Sequence, residues 1–155
     1  MLQSIVLEII LFKLTSKDFK ENDKIPSEFT CDGKNVSPHL SWSDPPENTK
    51  SFALSVTDPD SASGLWIHWL VYNIPGNLKE IQRGNLTIEA KELENDFGKT
   101  TYGGPCPSSG THRYFFTLYA LSANKIKDLT KQNFFDKIKG YVINKTEIMG
   151  YYQRK

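Results

Sequence analysis

A mostly β domain is the fold the sequence predicts: two sheets packed as a sandwich or flattened barrel, with one or two short peripheral helices. Three observations carry this. Three runs rich in β-branched and aromatic residues have strand length and strand composition: SFALSV (Ser51 to Val56), LWIHWLVYNI (Leu65 to Ile74) and HRYFFTLYAL (His112 to Leu121). Turn-forming stretches bound the first two, with DPPENTK before, DPDSASG between and PGN after them. A helical spacing of apolar residues is found in one late segment.

The opening MLQSIVLEIILFKLTS is apolar from Ile5 to Phe12. Glu8 interrupts it, no cation precedes it, no small-residue cleavage pattern follows, and it is too short to cross a bilayer. It is expected to be an N-terminal strand of a cytoplasmic protein. In the strand His112 to Leu121, Phe115, Thr117 and Tyr119 alternate with Phe116, Leu118 and Ala120. Both sets are largely apolar, so this strand is expected to be covered on both faces. In DLTKQNFFDKIKGY, Leu129, Phe134, Phe135 and Ile138 follow a three-to-four spacing. Thr130 is the expected N-cap and Gly140 the stop of a helix of about two to three turns. YVINKTEIMGYY suits a strand or a helix equally.

The 155 residues suit one domain, residues 1–155, without internal repeat or linker. With 38% hydrophobic and 24% charged residues the chain reads as globular and soluble. Its net charge of +1, from lysines far more than arginines, provides no general attraction to nucleic acid or to anionic membranes. The basic C-terminal region, Lys125 to Lys155, reads as a solvated face. Three glycosylation-like triplets, at Asn35, Asn85 and Asn144, read as accidental in a cytoplasmic chain. Cys31 and Cys106 form no CxxC pair, which excludes a zinc ribbon or a thioredoxin motif. Free thiols are expected in the cytoplasm; a disulfide requires that the two loops meet.

Three segments carry polar residues that a core does not need. TDPDSASG places Asp58 and Asp60 around Pro59 at a strand end, where a plain turn would use the same residues. In GLWIHW, strand alternation puts Trp66 and His68 on one face, with Ile67 and Trp69 on the other. In TYGGPCPSSGTHRY, the glycine and proline residues suggest loop amides free to face a ligand, and His112 and Tyr114 share a strand face behind them. Each segment lies at a strand end, so the three loops could meet at one rim. The resulting inventory of imidazoles, tyrosine hydroxyl, indole and amides suits phosphate or another small anion, with Asp58 setting an imidazole tautomer. Walker-type and dinucleotide-binding glycine motifs are absent from the sequence.

SVTDPDSASGLWIHWLVYNIP and DFGKTTYGGPCPSSGTHRYFFTLYAL resemble the two signature segments of the phosphatidylethanolamine-binding proteins (PEBP), and more closely their bacterial and archaeal Raf-kinase-inhibitor-like branch. IPSEFTCDGKNVSPHLSW and the final GYY with its basic end extend the resemblance over about Ile25 to Tyr152. It implies a large central antiparallel sheet packed on a smaller one. It also implies a pocket for phosphate, acetate or a phosphoryl headgroup, lined here by Asp58, Trp66, His68, Gly104, Pro105, His112 and Tyr114. Members of the family regulate kinases or transcription factors, and some inhibit serine proteases. Departures from the family pattern are Ser61-Ala62 and Ser108, where prolines are common, and a short, charged GNLTIEAKELE. The two C-terminal tyrosines could place one hydroxyl over the site.

The function expected from these residues is non-enzymatic binding of a small anion or phosphorylated ligand that modulates a partner protein, such as a kinase or a protease. No cofactor, metal or nucleic acid is implied, and lipid contact is at most peripheral, through a headgroup. The alternative is a metal-dependent enzyme built on Asp58, His68 and His112. A serine hydrolase using Ser108 or Ser109 with His112 and Asp58 is a third reading, without the GxSxG elbow.

Overall fold

A computed structural model describes residues 11–86 and 89–154. In chain order the elements are β1 (Lys13–Thr15), β2 (Asp23–Lys24), a 3-10 turn (Ser27–Phe29), β3 (Leu40–Ser43), β4 (Ser51–Asp58), β5 (Trp66–Pro75), β6 (Glu80–Ile81), β7 (Lys91–Glu92), β8 (His112–Leu121), α1 (Phe134–Lys139) and β9 (Val142–Tyr152). They form a six-stranded sheet in the order β2-β9-β8-β4-β5-β7 and a three-stranded sheet in the order β1-β3-β6. Neighbours are antiparallel except the edge pair β2 and β9. The mostly β, two-sheet architecture is thus the one the residue patterns indicate. Residues 5–10 of the expected N-terminal strand lie outside the described residues; the first described strand starts at Lys13.

Burial on both faces of the large sheet explains the near-continuous apolar runs of β4, β5 and β8. One face carries Phe52, Leu54 and Val56 of β4 with Tyr114, Phe116 and Leu118 of β8. They pack against Leu14, Leu40, Trp42 and Ile81 of the small sheet. The opposite face carries Ala53, Leu70, Tyr72 and Leu121, and is covered by Ile126, Leu129, Phe134 and Ile138. The segment around α1 is therefore a lid on the second face.

One local expectation is corrected and one open reading is decided. The helix is shorter than its apolar spacing suggests, with six residues and Asn133 at its N-cap position. Thr130 and Asn133 bond each other reciprocally, Asn133 N to Thr130 Oγ1 and Thr130 N to Asn133 Oδ1. That reciprocal pair has the pattern of a capping box and closes a turn over Thr130 to Asn133, and the α-helical residues follow it from Phe134. The ambiguous segment 141–152 is a strand because β8 offers a long partner, from His112 opposite Tyr152 to Leu121 opposite Val142.

β5 carries two bulges. Phe52 pairs with Ile74 and Leu54 with Val71, leaving an extra residue on β5; Asn73, at φ 55°, lies in this irregularity. Its side chain accepts from Ile126 N and donates to Ile126 O, tying the α1 segment to the sheet. The second bulge positions the site: Val56 pairs with Trp69 but Thr57 pairs with Ile67, so His68 is the extra residue. Strict alternation would group Ile67 with Trp69. The bulge separates them, sending Ile67 to the second core and Trp69 to the first.

Candidate functional site

Beyond the cover of the small sheet, the first face of the large sheet opens into a cavity of about 270 Å³. Asp58, Trp66, His68, His112 and Tyr114 all line it. Strand register explains this: Asp58 pairs with Trp66 across β4 and β5, and His112 and Tyr114 continue the buried even-numbered row of β8.

Gly104 and Pro105 lie elsewhere. Gly104 N donates to Asn35 Oδ1 at 2.8 Å, and Pro105 O accepts from Cys31 N at 3.1 Å. Gly103 N donates to His68 O at 3.0 Å. The amides of Gly103 and Gly104 expected to face a ligand are therefore spent on the fold. A Cβ on Gly104 would lie 2.2 Å from the Phe29 carbonyl oxygen, so glycine is needed there for close backbone approach. Cys31 and Cys106 form a disulfide with Cα atoms 5.4 Å apart, contrary to the expectation of free thiols. The loops of residues 29–35 and 103–107 meet because these hydrogen bonds bring them together.

Asp58 is 3% exposed and both its carboxylate oxygens are engaged. Oδ1 accepts from Asp60 N and Oδ2 from His112 Nδ1, each at 2.7 Å. Asp58 thus sets the tautomer of His112 and holds the turn after β4. Asp60 in turn accepts from the backbone N and guanidinium of Arg113. These bonds hold its carboxyl down at about 2, from an ordinary 3.8. The contribution to stability is fully present above the ordinary value and is lost as pH falls through about 2. Arg113→Ala is expected to return the Asp60 carboxyl toward 3.8 in a carboxyl-detected NMR titration. A midpoint left near 2 would show that Arg113 is not its controlling partner.

His68 is 2% exposed and its Nδ1 lies 2.6 Å from Gly103 O. Burial lowers its pKa against the opposing effect of that carbonyl and of Asp58. Tyr114 is pushed up by burial and then by the charges of Asp58 and Asp60, so its hydroxyl stays protonated. Among the described residues, Trp66 Nε1, His68 Nε2 and Tyr114 Oη are buried polar atoms without a hydrogen-bond partner. All three belong to side chains that line this one cavity.

Several lining residues escaped sequence reasoning: Ser61, Ala62, Ser63, Phe97, Cys106 and Pro107. Phe97 packs edge-on against Trp66 and His68, with ring centroids 5.5 and 5.3 Å away. Buried Asn95 places it by accepting from Phe97 N and Lys99 N while donating to Thr101 O. A polar residue followed by Asp-Phe-Gly reads as an ordinary turn, and only its closure onto β5 reveals the wall. Neither C-terminal tyrosine lines the cavity: Tyr152 donates to Asp32 at 2.7 Å and Tyr151 is exposed.

The arrangement does not assemble the alternative metal set. Asp58 is occupied on both oxygens, and no three His, Cys, Asp or Glu side chains among the described residues are grouped to hold a metal ion. Ser108 lines the cavity, but among the described residues neither it nor Ser109 is hydrogen-bonded to His112.

The family described as phosphatidylethanolamine-binding protein matches residues 15–153. The chain belongs to this family. A "UPF0098 protein" of Aquifex aeolicus is 38% identical over 170 residues, covering 99% of both chains. The "UPF0098 protein YbcL" of Escherichia coli is 38% identical over 152 residues, 88% of this chain and 82% of that one. Among solved structures, the family homolog CT736 of Chlamydia trachomatis has a TM-score of 0.87 at 36% identity, covering 93% of this chain and 98% of that one. The crystal structure of E. coli YbcL, described as a new member of the mammalian PEBP family, also has a TM-score of 0.87, at 33% identity, covering 93% and 99%. The family's fold is therefore this chain's fold. Among the described residues no helix is long and apolar enough to cross a membrane.

Proposed function

We propose that this PEBP-family chain binds a small oxyanion, such as phosphate or a phosphoryl headgroup, and modulates a partner protein of the kinase or protease kind without catalysing a reaction. The observation that carries this reading is the convergence of three buried, unpartnered polar atoms on one cavity. Each such atom costs about 1–3 kcal/mol when unsatisfied, and a bound oxyanion would accept from the indole and the hydroxyl. Phe97 lines the same cavity and is 41% exposed, giving a partner protein or a ligand's apolar part a contact beside the polar floor. The disulfide favours an oxidising compartment over the cytoplasm expected from the sequence.

Isothermal calorimetry with phosphate and O-phosphorylethanolamine tests the reading. Wild-type protein is expected to bind both. His68→Ala, checked for folding by circular dichroism, should weaken binding by about tenfold or more, the scale of a lost hydrogen bond to a charged group. Unchanged affinity in the variant would place the anion elsewhere.

A further inference from the structure

The hydrogen bonds around the cavity determine where a ligand's own proton must be. A carbonyl oxygen only accepts, so the contact between His68 Nδ1 and Gly103 O requires the hydrogen to be on Nδ1. Burial disfavours a second proton on this ring. Nε2 then carries a lone pair, and it is the buried nitrogen without a partner. Trp66 Nε1–H and the Tyr114 hydroxyl are donors. The unpartnered atoms lining the cavity are thus two donors and one acceptor, a mixed set that a fully ionised anion does not match.

The charges agree. The titratable and charged groups around His68 are Asp58 of β4, Tyr114 and His112 of β8, and Asp96 of the loop after β7. Among the described residues no lysine or arginine lines the cavity, and Arg113 is engaged by Asp60. The one carboxylate in the wall, Asp58, is turned to His112 Nδ1, leaving His112 Nε2 to donate only when that ring is protonated. A dianion would meet a lone pair and a carboxylate with no permanent cation. An oxyacid that keeps one proton fits better: its O–H donates to His68 Nε2, while its other oxygens accept from Trp66 and Tyr114.

We propose that the cavity selects an oxyacid group still carrying one ionisable proton, as the monoanion of a phosphomonoester does, over sulfate esters and phosphodiesters, which carry none. This rests on the anion-binding reading above and narrows it to a class of ligand.

Methyl phosphate and methyl sulfate provide the test, because near pH ~5.5 they share shape and charge and differ by that proton; the second ionisation of a phosphomonoester lies near ~6. Calorimetry on the wild-type protein is expected to show methyl phosphate binding at least about tenfold tighter than methyl sulfate and dimethyl phosphate at that pH. Its affinity should fall by roughly twentyfold by pH ~7.5, following loss of the monoanion. Equal binding of methyl phosphate and methyl sulfate, or methyl phosphate binding independent of pH, would overturn the proton requirement and leave the anion pocket standing. Binding of none of the three at either pH would overturn both.

Discussion

Loss of the Cys31–Cys106 disulfide is expected to lower the free energy of unfolding by about 4 kcal/mol, the chain-entropy cost of releasing a long loop. The two cysteines are 75 residues apart, so the bond restricts about half of the chain in the unfolded state. In the folded state it secures the wall of the cavity, since Cys106 lines it and its loop holds His68 through Gly103. The same loop is also tied by Gly104 N to Asn35, Cys31 N to Pro105 and Tyr102 Oη to Phe29 O. The reduced protein should therefore keep its fold but bind phosphate more weakly. Urea unfolding of the native protein and of a Cys31→Ser, Cys106→Ser variant measures the difference. A change below about 1 kcal/mol would mean that the hydrogen bonds alone close the loop and that the disulfide adds little to chain entropy.

Asp58→Asn is expected to cost about 2–3 kcal/mol of stability and, where His112 takes the other tautomer, to tighten phosphate binding by about tenfold, because a lone pair facing the cavity becomes an N–H donor and a carboxylate in its wall is lost. The buried carboxylate accepts from two donors, Asp60 N and His112 Nδ1, on separate oxygens. An amide has one acceptor oxygen and would set its NH₂ against one of those donors. Either the turn after β4 loosens or His112 takes the other tautomer, which reverses the polarity of the nitrogen facing the cavity. Nitrogen-15 chemical shifts of His112 report the tautomer, and calorimetry with phosphate reports the binding. An unaltered tautomer together with unaltered affinity would show that Asp58 does not orient the ring.

Much of the site was legible because strand alternation is a local rule. Asp58, Trp66, His112 and Tyr114 line the cavity that their sequence positions suggested. His68 lines it too, though by a bulge instead of by simple alternation. The glycine-proline loop was misread in its role. Its amides face the chain, because a loop near 29–35 lies where a ligand was expected. Phe97 was missed because no local pattern distinguishes an exposed turn phenylalanine from a cavity wall.

By itself the sequence determined the strand-rich composition, the two-faced burial of β8, the order of the polar segments and their likeness to one family. These follow from residue chemistry and from the period of two along a strand. Tertiary structure alone decided the extra residue at His68, the length of α1, the strand state of segment 142–152, the disulfide, and which amides remain free. All but the length of α1 depend on partners distant in the chain. A backbone donor or a thiol cannot reveal from its neighbours what the fold will bring against it.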